Sequence, residues 1–100
     1  MATAYQTFLG RWPNNVSAAV GLANTHHALG ELPQAEKVLR EAATRDPDSV
    51  IVLNNLAQTL ADQGRYKEAL PFIERAAAAG GPFADAVSQT RKTILEKLGN

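Results

Sequence analysis

The residues best suited to chemistry are few. His26 and His27 are the chain's two histidines and stand side by side. Neighbours on a helix point about 100° apart, so this pair cannot chelate one metal as an i, i+4 pair could. No cysteine is present, which removes thiolate ligands, disulfides and a cysteine nucleophile. No serine, histidine and acid combination, phosphate loop or metal-ligand spacing stands out. The sequence therefore predicts no catalytic residue, no metal site, no cofactor and no enzyme activity. "NVS" at Asn15 fits a glycosylation acceptor, but without a secretory leader it reads better as a helix cap. A polar stripe is the stronger chemical signal. Ser17, Val20, Asn24 and His27, then Ile51, Asn54, Asn55, Gln58 and Asp62, recur at three- and four-residue steps opposite a leucine stripe. Asparagine and glutamine each offer donors and an acceptor, as an extended peptide backbone requires.

The elements that must position this stripe are helical. Alanine and leucine are abundant while the β-formers are sparse, which favours helix. Gly30 and Gly64 interrupt helical runs 34 residues apart. Glycine inside a helix costs about 1 kcal/mol, but just past a helix end it supplies a positive φ at little cost. Sliding the chain by that period lays "GLANTHHALGELPQAEKVLREA" on "NLAQTLADQGRYKEALPFIERA". Leu22 meets Leu56, Ala23 meets Ala57, Ala35 meets Ala69, Leu39 meets Ile73, and Ala42 meets Ala76. Matching small and apolar places with variable ones between them indicate a packing requirement. Ala23 with Ala35, and Ala57 with Ala69, are expected where paired helices approach most closely. Ala42 and Ala76 should face the next hairpin.

These residues resemble the tetratricopeptide repeat (TPR) family. Counting from Val16 and Val50, the family's large, small and turn places fall on Leu22 and Leu56, Ala23 and Ala57, and Gly30 and Gly64. Its aromatic at place seventeen is Tyr66 in the second unit and Leu32 in the first; Pro47 holds the closing proline place, and Pro82 is one place late. The resemblance implies one all-α domain over residues 1–100, a TPR-type α-α superhelix. Residues 1–13 would be the second helix of a truncated repeat, 16–49 and 50–82 two full repeats, and 83–98 a capping helix with Phe83, Val87, Ile94 and Leu98 as its apolar stripe. Beginning inside a unit suggests a segment of a longer protein, and the open stripe Tyr5, Phe8 and Leu9 offers a route to a homodimer through the N-terminal helix. Asn15 and Asp48 are expected helix caps, Glu36–Arg40 and Glu41–Arg45 surface ion pairs, and Pro71 a slight outward kink. His26 is expected to pack in the core.

In the family the first helices of the units line a concave groove, which implies that the polar stripe and His27 face it. The implied role is a protein–protein interaction module holding a peptide or a neighbouring domain. Some relatives grip a C-terminal carboxylate with two asparagines and three basic residues. Asn24 and Asn55 match the asparagines, but Val20, Asp85 and Gln89 stand at the basic places, so the ligand is expected to be neutral or of mixed charge. A narrower resemblance runs through "FLGRWPNN", "LNNLAQTLADQGR" and "AAGGPFADA" to the C-terminal TPR tail of bacterial papain-like cysteine peptidases related to bacteriocin processors. It implies, as the alternative, an accessory domain whose catalytic partner lies outside this chain. Ten basic and ten acidic residues argue against a nucleic-acid footprint, and the 34-residue period departs from the 35 of RNA-binding pentatricopeptide arrays. No signal peptide or membrane-length apolar run appears, so a soluble segment is expected, with its compartment unassigned.

Overall fold

The computed structural model describes residues 16–99. The expected leading helix over 1–13, the Asn15 cap and the dimer through that end lie outside the described residues. Five helices follow in order: α1 (Val16–Ala28), α2 (Leu32–Arg45), α3 (Val50–Asp62), α4 (Tyr66–Ala79) and α5 (Ala84–Gly99). Among the described residues there is no strand, and no helix is long and apolar enough to cross a membrane. Helices α1 and α2 form one hairpin and α3 and α4 a second; α5 packs on α4 and lies beside α3. The first helices, α1, α3 and α5, thus form one layer of an all-α superhelix.

Two glycine turns close the hairpins in the same way. Gly30 and Gly64 both take φ of 78°, a left-handed conformation that a side chain disfavours. The Gly30 N–H donates to the His27 carbonyl at 3.0 Å and the Glu31 N–H to that of His26 at 2.8 Å. One period later, Gly64 donates to Ala61 and Arg65 to Leu60, each at 2.9 Å. Both are Schellman turns, which satisfy helix-end carbonyls while reversing the chain. A Cβ at Gly64 would meet nothing within 4 Å, so the penalty for alanine lies in the backbone alone. Gly64→Ala should cost about 1–2 kcal/mol, with Gly64→Asn milder because asparagine tolerates this conformation better. Thermal melts of both variants check this; an unshifted alanine variant would mean the turn relaxes freely.

Small residues let the hairpins close. Ala23, Ala35, Ala57 and Ala69 are buried, as are Ala42 and Ala76. Leu22, Leu39, Leu53, Leu56, Leu60 and Ile73 fill the spaces between them, and Val87 and Ile94 continue the core into α5. Ala-sized contacts bring backbones close, and the leucines supply about 1.5–3 kcal/mol each on burial. Pro33 is the second residue of α2, where its missing N–H is tolerated. Pro71 lies inside α4 but is exposed, so water can serve the carbonyl its ring leaves unbonded.

Two expected positions need correction. The cap of α3 is Ser49, not Asp48: Ser49 is the extended residue before the helix, and its Oγ accepts from the Val52 N–H at 3.4 Å. Phe83 is 42% exposed rather than part of the capping helix's apolar stripe. It precedes the first turn of α5, where its carbonyl accepts from the Val87 N–H at 2.9 Å, so it occupies a helix-entry place.

One polar cluster ties the two hairpins together. The Glu36 side chain on α2 is 12% exposed. Its Oε2 accepts from Arg40 Nε at 2.7 Å, and its Oε1 accepts from Arg65 Nη1 at 2.5 Å and Gln63 Nε2 at 3.1 Å. Arg65 also grips Glu68 with Nε at 2.5 Å and Nη2 at 2.9 Å. Burial acts most strongly on Glu36 and would raise its pKa. Hydrogen bonds from Arg40, Gln63 and Arg65, with the Arg65 charge, outweigh it and hold the carboxyl at about 2 against an ordinary 4.5.

Candidate functional site

The exposed side of the first-helix layer gathers part of the polar stripe. Near the C-terminal end of α1, His27 Nε2 lies 2.6 Å from Asp62 Oδ2 at the last residue of α3. Both side chains are about half exposed, at 49% and 48%. One turn back on α3, Gln58 Nε2 donates to Thr90 Oγ1 on α5 at 3.2 Å. These contacts flank a cleft of about 370 Å³ lined by His27, Gln58, Ala61 and Asp62, with Gln89, Thr90 and Thr93 completing it from α5.

The remaining stripe residues divide by burial. Ser17 and Asn24 are exposed on α1. Ile51 and Asn55 are half-buried, and Asn55 Nδ2 donates to the Ile51 carbonyl at 2.8 Å, which fixes its amide along its own helix. Val20 joins the packed core. Asn54 is buried, and its Oδ1 meets no hydrogen-bond donor among the described residues. The cleft therefore brings His27, Gln58 and Asp62 together, while Asn24 and Ser17 lie elsewhere along the same helix layer. His26 is buried at 7% exposure, with Nδ1 2.7 Å from Glu31 Oε1 across the Gly30 turn.

The α5 side of the cleft was not singled out as binding surface in the sequence. Its signal was available in the repeat: one period beyond Asn55 is Gln89, and Thr90 stands one period beyond Leu56. A threonine at a large apolar place is buried only if it is hydrogen-bonded. Here Thr90 donates to the Ala86 carbonyl at 3.1 Å and accepts from Gln58.

With paired helices, recurrent Schellman turns and a polar first-helix layer in place, the comparison with known families is decisive. The tetratricopeptide repeat profile matches residues 2–50 and again residues 28–85. The chain belongs to the tetratricopeptide repeat family. Its TPR fold is shared with the TPR2B domain of yeast Sti1, solved as a complex with pHsp70, at a TM-score of 0.88 and 20% identity over 96% of this chain and 81% of that one. The chain is also 35% identical over 71 residues to the chloroplastic psbD mRNA maturation factor Nac2 of Chlamydomonas reinhardtii. It is 32% identical over 71 residues to Superkiller protein 3 of Saccharomyces cerevisiae. Each alignment takes in 71% of this chain but only 5% of the relative. In this TPR chain the cleft lies where three repeat-initiating helices meet.

Proposed function

We propose that this TPR chain is a non-catalytic protein-interaction module whose first-helix groove binds an extended peptide segment or a neighbouring domain of its own polypeptide. The cleft shared by α1, α3 and α5 carries this reading. It is walled by polar side chains from three helices on a rigid layer of packed alanines and leucines, and rigid presentation limits the ordering cost of binding. The yeast Sti1 domain, with the same fold, was solved with pHsp70, which supports a polypeptide ligand.

Proton bookkeeping in the cleft supports the non-catalytic reading. His27 and Asp62 form a base–orienter pair, but the Thr90 and Thr93 hydroxyls each donate to a carbonyl of their own helix, at Ala86 and Gln89. Neither presents its proton to His27 as a nucleophile would. Val20, Asp85 and Gln89 leave the basic places of a carboxylate clamp without positive charge, so the ligand is neutral or mixed in charge and is held along its length.

Selection of displayed random peptides on the immobilised chain tests this. Enriched peptides should bind with both ends blocked and persist at high salt. They should lose affinity for the Asn24→Ala/Gln58→Ala double variant, whose changes lie on exposed side chains. Binding that demands a free C-terminus and vanishes with salt would refute it, as would undiminished binding to the double variant.

A further inference from the structure

The side chain that this cleft accepts can be read from the hydrogen-bonding atoms it leaves open; the inference rests on the peptide-binding reading above. The Thr90 hydroxyl proton is committed to the Ala86 carbonyl at 3.1 Å, so Thr90 meets Gln58 as an acceptor, and Gln58 must turn its NH₂ toward it. That leaves the Gln58 carbonyl oxygen, Oε1, open. The Thr93 hydroxyl proton is likewise committed to the Gln89 carbonyl at 3.1 Å, leaving its lone pairs. Asp62 uses Oδ2 against His27, while Oδ1 meets no donor among the described residues. Among the lining side chains, Gln89 keeps its amide donors and Gln58 keeps its second amide N–H.

The open valences are thus mainly acceptors, and one belongs to a carboxylate. The adjoining cleft along α5 adds Asp85 and Glu96 against a single lysine, Lys92. We infer that the cleft seats a lysine or arginine side chain of the bound peptide. The alkyl stem lies along Ala61, and the N–H groups face Asp62 Oδ1, Gln58 Oε1 and Thr93 Oγ1. Ammonium offers three donors and guanidinium five, with no acceptor to conflict with this lining. A carboxylate side chain would bring acceptors to acceptors and negative charge to Asp62.

The test uses end-blocked, 12-residue degenerate peptide pools, each with one fixed central residue: lysine, arginine, glutamine, leucine or glutamate. Binding to the whole chain is read by fluorescence anisotropy. The lysine and arginine pools should bind about tenfold more tightly than the glutamate pool, the scale of one charge-assisted hydrogen bond. Asp62→Asn keeps the shape and should erase that preference. Gln58→Lys, which places a cation in the cleft, should erase it independently and guards against a folding defect in the first variant. Equal binding of all pools would overturn the cationic assignment and leave groove binding standing. No binding by any pool would remove the groove reading and the assignment with it. A preference for glutamate would overturn the assignment in sign.

Discussion

Glu36→Ala should destabilise the chain by about 3–4 kcal/mol near neutral pH, and the loss should fade in acid. The magnitude follows from the lowering of the carboxyl from 4.5 to about 2, at roughly 1.4 kcal/mol per pKa unit. The side chain is nearly buried, so solvent screens its contacts little. Arg65 retains Glu68 as a partner after the change, which spares it the larger penalty of a buried charge left alone. The sign follows from proton linkage. The folded carboxyl binds its proton more weakly than the unfolded one, so between about pH 4.5 and 2 the unfolded state holds more protons and stability rises with pH. The contribution is complete above the unfolded pKa and is lost as pH falls through the folded one. Urea unfolding of both proteins at several pH values should therefore give curves that converge in acid. A variant whose stability falls with acid as steeply as that of the parent would show that Glu36 is not the group responsible.

This cluster also shows where sequence reading stops. The Glu36–Arg40 pair was legible because i, i+4 spacing alone brings those side chains together. The Arg65 contact was not, because it spans 29 residues and depends on how the chain leaves the Gly64 turn. The turns themselves were legible: only a left-handed residue closes that geometry, and glycine marked both. The alanine and leucine places were legible for a similar reason, since close approach restricts side-chain volume and recurs with the period. The groove was half legible. Periodicity placed His27 and Asp62 on a common layer, but their pairing across 35 residues depends on the lateral offset between α1 and α3. Val20 and Asn54 share the stripe's spacing and yet are buried, because a helix face is broad and its edges roll into the neighbouring helix. Ser49 displaced Asp48 as a cap because the helix began one residue later than charge alone suggested.

Leu60→Ala should lower stability by about 2–5 kcal/mol, the range for deleting a fully buried leucine side chain. Leu60 is inaccessible to solvent and belongs to the continuous core. Its position in the fold places the expected loss toward the upper part of that range. Among the described helices, α3 touches all four others: α2 and α4 along its packed faces, and α1 and α5 within the first-helix layer. Repeat proteins gain stability chiefly from interfaces between neighbours, so a cavity in the shared helix weakens the coupling on both sides. The Leu60 carbonyl is also the acceptor that closes the Gly64 turn, and the Arg65 that donates to it is the residue reaching back to Glu36. Loosening this point therefore disturbs packing, turn and inter-hairpin ion pair together. For a domain of this size the melting temperature should fall by roughly 10–30 °C. Leu29→Ala supplies the control, since Leu29 is 61% exposed beside the equivalent turn and should change the melt little. Equal shifts in the two variants would contradict the packing account. Because α3 also carries Gln58, Ala61 and Asp62, the proposed peptide binding predicts that the Leu60 variant loses affinity at temperatures well below its melt, as the helix that walls the cleft loses its fixed position.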